Sequence, residues 1–217
     1  MTTSKTTNIK RYSLGEEIFN SISHGIGALL SIAGCVVLIV LSVSHGGAKE
    51  VVASSIYGAS LIILYTMSTL YHALTNEKAK KLFRILDHDT IYLLIAGTYT
   101  PITLCILRNT LGWIILGIVW ASAILGTVLS SIDLEKFKKF SLCCYVAMGW
   151  GIILAIKPLI DKSPLISIIF LLAGGLCYSG GIFFYIKKQY KYFHSIWHLF
   201  VVAGSIFHYF SIVNAIV

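Results

Sequence analysis

Apolar positions in this chain run in long unbroken blocks rather than in alternation, and the gaps between ionisable side chains set the element lengths. Asp, Glu, Lys and Arg are absent from residues 18 to 48, 51 to 76, 90 to 107, 109 to 132, 140 to 156, 163 to 186 and 192 to 217. A helix rising 1.5 Å per residue needs roughly 20 apolar residues, range about 17 to 25, to cross the hydrocarbon core. Each block meets that requirement, with 140 to 156 the shortest. The pattern predicts an all-α integral membrane protein: a seven-transmembrane helix bundle over 17–217, preceded by a tail over 1–16.

Composition agrees, with 57% hydrophobic residues, 12% charged residues and a mean hydropathy of +0.83. Such values belong to polytopic membrane proteins, and 217 residues so arranged leave no room for a separate soluble domain. The opening MTTSKTTNIKRYSLGEE is basic but has no apolar core of its own, so it reads as a cytosolic tail and the first apolar block as a retained span.

Charge sets the orientation, because Lys and Arg near span ends are retained on the cytoplasmic side. With the N-terminus inside, the inner segments hold Lys5, Lys10, Arg11, Lys78, Lys80, Lys81, Arg84, Lys136, Lys138, Lys139, Lys187, Lys188 and Lys191, whereas the outer loops hold only Lys49, Arg108, Lys157 and Lys162. The expectation is a cytoplasmic N-terminus and an extracytoplasmic C-terminus in a plasma membrane, the inner membrane of a bacterium. A net charge of +8 then reflects a basic rim beside anionic headgroups, and no motif supports a nucleic-acid partner.

Cys35, Cys105, Cys143, Cys144 and Cys177 fall within the spans without a CxxC pair and read as small packing residues. Gly25, Gly27, Gly34, Gly174, Gly175, Gly180 and Gly181 are expected to let helices approach closely. Pro101 interrupts the third span, where Thr98 or Thr100 could satisfy the carbonyl it frees.

Ionisable side chains are expensive at membrane depth and tend to mark function. Glu17, Asn20 and His24 share one face of span one, at spacings of three and four. Ser68 and His72 share a face at the end of span two, Asp87 opens span three, and His194 and His198 lie one turn apart at the start of span seven. The derived topology puts them all at the cytoplasmic end.

Two imidazoles at i and i+4 with His72 from another helix make a three-histidine set, which suits zinc and leaves a fourth position for water. Zinc lowers the pKa of such a water toward about 7, and Asp87 is the candidate carboxylate to orient or deprotonate it. Ser68 beside His72, and Glu17 and Asn20 around His24, could serve as outer partners of the imidazoles. His88 and Asp89 are expected in the solvated interfacial boundary, and His45 in an outer loop. His208 lies ten residues past His198, about 15 Å along the helix, and reads as a buried hydrogen-bonding group.

Glu17-x2-Asn20-x3-His24, Ser68-x3-His72 followed by Asp87, and His194-x3-His198 resemble the three signature motifs of the progestin and adipoQ receptor superfamily. Leu86-Asp87-His88 leading into Ile91-Tyr92-Leu93-Leu94-Ile95-Ala96-Gly97-Thr98-Tyr99-Thr100-Pro101, and the approach to His208-Tyr209, resemble its bacterial hemolysin III branch. The resemblance spans nearly the whole chain. It implies a seven-helix fold with zinc near the cytoplasmic face, held by His72, His194 and His198, with Asp87 holding the metal's water and Glu17, Asn20, His24 and Ser68 in supporting places. Eukaryotic relatives resemble ceramide hydrolases, and bacterial ones carry a hemolysin label and a link to membrane-lipid homeostasis. The short tail departs from the receptor pattern and argues against a protein ligand.

The expected function is metal-dependent hydrolysis of a lipid amide or ester that enters laterally between helices. The alternative is a non-enzymatic cytolysin, or a sensor of membrane state with a structural zinc.

Overall fold

A computed structural model describes residues 12–216. Lys5, Lys10 and Arg11, on which part of the orientation rests, lie outside the described residues.

Among the described residues, seven helical segments are long and apolar enough to span a membrane, and no strand is present. They are α1 (Leu14–His45), α2 (Ala48–Ala73), α3 (Glu77–Pro101) continued by a π turn (Ile102–Leu107), and α4 (Thr110–Ile132). There follow α5 (Leu134–Trp150), joined through a 3₁₀ turn (Gly151–Ala155) to α6 (Ile156–Lys162), then α7 (Leu165–Ile186) and α8 (Phe193–Ile216). Seven such segments in sequence make a multi-pass integral membrane protein.

Several helices begin earlier than the charge-free blocks. Ser13 caps α1 through a capping box with Glu16, so the helix starts at Leu14 with Glu16 and Glu17 in its first turn. In α3 the Asn76 side chain caps the backbone of Lys78 and Ala79, and the charged stretch up to Asp89 is helical. Asp133 caps α5 in the same way, drawing Lys136, Lys138 and Lys139 into it. Charged residues thus mark helical turns at the membrane boundary, not helix ends.

Sequential helices pack as neighbours from α1 to α5, α7 pairs with α8, and α8 closes against α1. At the centre stands α3, with 78% of its most apolar window buried against 22% for α1. The exposed face of α1, including Ile22, Ile26, Leu29, Leu30, Val36, Val40 and Val43, is a lipid-facing stripe. Two buried clusters hold the bundle. One joins α3 to α4 and α5 around Tyr92, Tyr99, Ile115, Val119 and Met148, and the other joins α1, α2 and α8 around Leu38, Tyr57, Leu64, Tyr65 and Val201.

Pro101 acts through the π turn that follows it. Thr98 and Thr100 bond the Leu94 and Ala96 carbonyls, so neither hydroxyl serves the Gly97 carbonyl that the missing proline N–H would have reached. The π segment ends at Arg108, whose φ of 49° is left-handed. Of the glycines expected to permit close packing, Gly174 is the tightest, since a Cβ there would run into the His208 ring, and at Gly27 it would lie 2.7 Å from the Tyr65 ring.

Candidate metal centre

His72 at the end of α2 and His194 and His198 at the start of α8 converge, all three buried, with one ligand atom of each within 4.8 Å of the others. His194 Nε2 lies 3.4 Å from His72 Nε2 and 3.2 Å from His198 Nε2. Four-residue spacing sets the two α8 imidazoles edge to face, with centroids 4.7 Å apart, and the α1–α2 and α1–α8 contacts bring α2 within reach of α8.

On each imidazole the nitrogen opposite a bound proton carries a lone pair, and Glu17 Oε2 lies 2.6 Å from His72 Nδ1. A proton held there turns the Nε2 lone pair inward. His194 Nδ1 and His198 Nδ1 are buried without a hydrogen-bond partner, and both rings likewise direct Nε2 at the centre. Three inward lone pairs repel unless a cation or proton sits among them. Tetrahedral zinc with Zn–N of about 2.0–2.1 Å separates its nitrogens by roughly 3.3 Å, close to the two separations observed. The donor set fits a zinc ion held by His72, His194 and His198.

The surrounding groups depart in part from expectation. Glu17 and Asn20 turn to His72, not His24: Asn20 Nδ2 lies 3.5 Å from His72 Nδ1, and Glu17 Oε1 accepts from Lys80 Nζ at 2.7 Å. His24 lies outside the three-histidine group and stacks on His198, with centroids 3.7 Å apart, while meeting Tyr65 edge-on at 5.0 Å. Ser68 is buried with its Oγ unpartnered, as are both ring nitrogens of His24 and Oδ1 of Asn20. Orphaned polar atoms concentrated here make a polar cluster inside an apolar bundle.

Asp87 is also outside the ligand group; its side chain is 14% exposed and one carboxylate oxygen lies 3.8 Å from His88 Nδ1. It stands within electrostatic reach of Tyr12, whose phenol is pushed above its ordinary pKa by burial first, then by Tyr71, Tyr185, Asp87 and Glu17. His88 is anchored at the boundary, with Nδ1 2.8 Å from the Arg84 carbonyl and Nε2 3.4 Å from Tyr185 Oη. Asp89 departs from its expected place: it is buried and accepts a 2.8 Å bond from Ser131. Two residues on from Asp87, it faces α4. His208 is half-buried and makes the expected hydrogen bond, with Nε2 3.2 Å from the Leu171 carbonyl.

Tyr12 is the residue at the site that sequence reasoning missed. Its ring stacks on His194 at 4.7 Å and 10°. The segment is tied down by Glu16, whose carboxylate accepts from Ser13 and, at 2.8 Å, from the backbone N–H of Tyr192 just ahead of α8. The signal was present as Ser13-x-x-Glu16, a capping box with an aromatic residue just before it.

A cavity of about 120 Å³ lies between α2, α3, α5, α7 and α8. Its lining is mostly apolar, running from Gly149, Trp150 and His208 to Tyr185, Trp197 and Val201, the last two flanking His198 along α8. Val146 and Gly149 on its α5 wall are exposed, which opens it sideways toward lipid.

The model of a family described as haemolysin-III related matches residues 12–209. Hemolysin-3 of Bacillus cereus is 47% identical over 210 residues, covering 97% of this chain and 95% of that protein. The Hemolysin-3 homolog of Bacillus subtilis is 43% identical over 201 residues, covering 93% and 94%. Monocyte to macrophage differentiation factor of Homo sapiens is 30% identical over 207 residues, covering 91% and 83%. No solved structure matches the chain.

Proposed function

This chain belongs to the haemolysin III family, and from that premise we propose that it is a zinc-dependent hydrolase of a membrane lipid amide or ester, with its metal site at the cytoplasmic end of the bundle. The observation that carries the reading is the buried triangle of Nε2 atoms, braced from behind by Glu17 and set beside a lipid-accessible apolar cavity.

A zinc ion bound there would supply a Lewis acid for the substrate carbonyl and an acidified water at neutral pH. The chain's own residues do the rest. Glu17 fixes the His72 tautomer and orientation, and Lys80 holds Glu17 in turn. To Asp87, partly exposed beside His88, falls the role of taking and returning a proton, and the unpartnered Ser68 hydroxyl is free to hold a polar group of the substrate. Tyr12 covers His194 and keeps bulk water from that face. Lipid would enter through the side opening beside Val146 and Gly149 and lay its chain along the cavity. The cytoplasmic placement rests on the basic residues gathered at the site end of the bundle, among them Lys78, Lys136, Lys138, Lys139, Lys187 and Lys191.

The test is metal per protein in gently purified material, followed by a screen of lipid amides and esters. About one zinc per wild-type chain and metal-dependent turnover support the reading, whereas metal-free wild type overturns it. A C-terminal reporter active only outside the cytoplasm checks the orientation.

The name of the Bacillus cereus relative favours a second reading, a cytolysin that permeabilises membranes. Purified protein in liposomes would then release dye whether or not the histidines are intact.

A further inference from the structure

On the face of α3 toward α4 and α5, a second polar group gathers, with Asp89, Tyr92, Ser130 and Ser141 buried and Ser131 exposed at its edge. Asp89 is 6% exposed; Oδ2 accepts from Ser131 Oγ at 2.8 Å, and Oδ1 is buried without a partner. Ser130 on α4 faces the same carboxylate and lies 3.1 Å, Oγ to Oγ, from Ser141 on α5. The Tyr92 hydroxyl stands beside Ser141 and near Asp89, again buried and unpartnered, on a ring that is 0% exposed and laid against Gly126. Asp89 has no Lys or Arg partner among the described ion pairs.

The position is poor for a bare anion. Serines 130 and 131 belong to the last turn of α4, whose final carbonyls have no partner within the helix and give that end a negative potential. A buried carboxylate placed there is destabilised unless a positive charge joins it.

We propose that Asp89, Ser130, Ser131, Ser141 and Tyr92 form a site for a monovalent cation, sodium in the first instance. All five side chains offer oxygen, which suits hard cations and not zinc. A single carboxylate among four neutral hydroxyls balances one positive charge, whereas calcium and magnesium sites draw on more carboxylate or retain several waters. The ion would pin α3 to α4 and α5 through residues other than the histidines, so the site is independent of the zinc reading.

The experiment uses the full-length protein in detergent, with zinc content measured as a control. Thermal unfolding is followed in NaCl, KCl and choline chloride at equal ionic strength, alongside equilibrium binding of radioactive sodium. Wild type should show a saturable rise of about 2–4 °C in sodium over choline, the size expected of a cation that binds only the folded state, and should bind about one sodium per chain, one charge for one carboxylate. Asp89→Asn should lose both effects at unchanged zinc content. Should that variant fail to fold, Ser141→Ala should still show at least a several-fold weaker sodium response. Superimposed curves in the three salts, or an undiminished sodium effect in Asp89→Asn or Ser141→Ala, would overturn the proposal; superimposed curves are the result expected of a carboxyl group that carries its own proton.

Discussion

Glu17 Oε2 sits 2.6 Å from His72 Nδ1 across the α1–α2 interface, a carboxylate against the back of an imidazole whose Nε2 faces two others. Because this contact fixes which nitrogen carries the proton, it would govern the affinity of the three histidines for a metal without touching it. Glu17→Gln should weaken zinc binding about 10–100-fold while leaving the three imidazoles in place. Competition with a chelator of known affinity reads the change, and an unaltered affinity would remove Glu17 from the site.

The four buried histidines should separate into two classes. His72, His194 and His198 form the ligand group, so alanine at any of them should reduce zinc from about one per chain to a trace, as loss of one of three protein ligands implies. His24 stacks on His198 but lies outside the group, so His24→Ala should keep most of its metal and lose thermal stability instead. Elemental analysis of the four variants side by side is decisive, and a metal-free His24→Ala would mean that the ligand set is wrongly drawn.

Much of this arrangement was legible in the sequence because membrane helices advertise themselves by composition, and i, i+4 spacing fixes a shared face without tertiary information. The three histidines, Glu17, Asn20 and Ser68 were all picked out that way. What failed was the boundary between lipid and water. Using charge to end a helix placed Asp89 in solvent, whereas it lies inside, against Ser131, because α4 happens to present a hydroxyl at that height. Glu17 was given to His24 because they share a helix face, but facing across to α2 is settled by helix packing, which one sequence does not encode locally. Tyr12 escapes a reading that bounds the first span by charge, because such a bound leaves the first turn of α1, capped by Ser13 and Glu16, in the tail.

Tyr12 covers one face of His194 and is tethered through Glu16 to the backbone of Tyr192. Tyr12→Ala should therefore leave zinc stoichiometry intact but speed its removal by a water-soluble chelator, by roughly tenfold if the ring supplies about 1.4 kcal/mol of the barrier. Glu16→Gln, which weakens the tether and keeps the ring, should give a smaller acceleration of the same sign. Stopped-flow stripping of zinc-loaded protein measures both, and equal rates in all three proteins would show that Tyr12 shields nothing.

Gly27 tests the packing that brings α1 to α2. A Cβ there would fall 2.7 Å from Tyr65, whose ring also meets His24 and whose hydroxyl donates to Ser205 at 2.8 Å. Because the neighbour is a ring held at both ends, it has little freedom to give. Gly27→Ala should destabilise by about 1–3 kcal/mol, the usual range for overpacking. Gly117→Ala, where an added Cβ meets nothing within 4 Å, is the control and should be neutral or slightly stabilising by restoring helix propensity. Thermal unfolding in a fixed detergent compares them.

Gly149 offers a way to test the cavity without disturbing the metal. It lies on the α5 wall, and a Cβ built on it meets nothing within 4 Å, so a larger side chain can grow into open space instead of into a neighbour. Gly149→Leu would put a bulky side chain at the exposed edge of a cavity of about 120 Å³, in the way of a lipid chain. Zinc content and thermal stability should stay at wild-type values, since the histidines are on other helices. Turnover of long-chain lipid amides or esters should fall at least tenfold relative to short-chain ones, because only the long chain needs the filled volume, and a loss of about 1.4 kcal/mol in transition-state binding is a factor of ten. A uniform loss across chain lengths would instead mean that the leucine blocks entry, and unchanged rates for every length would mean that the lipid chain lies elsewhere in the bundle.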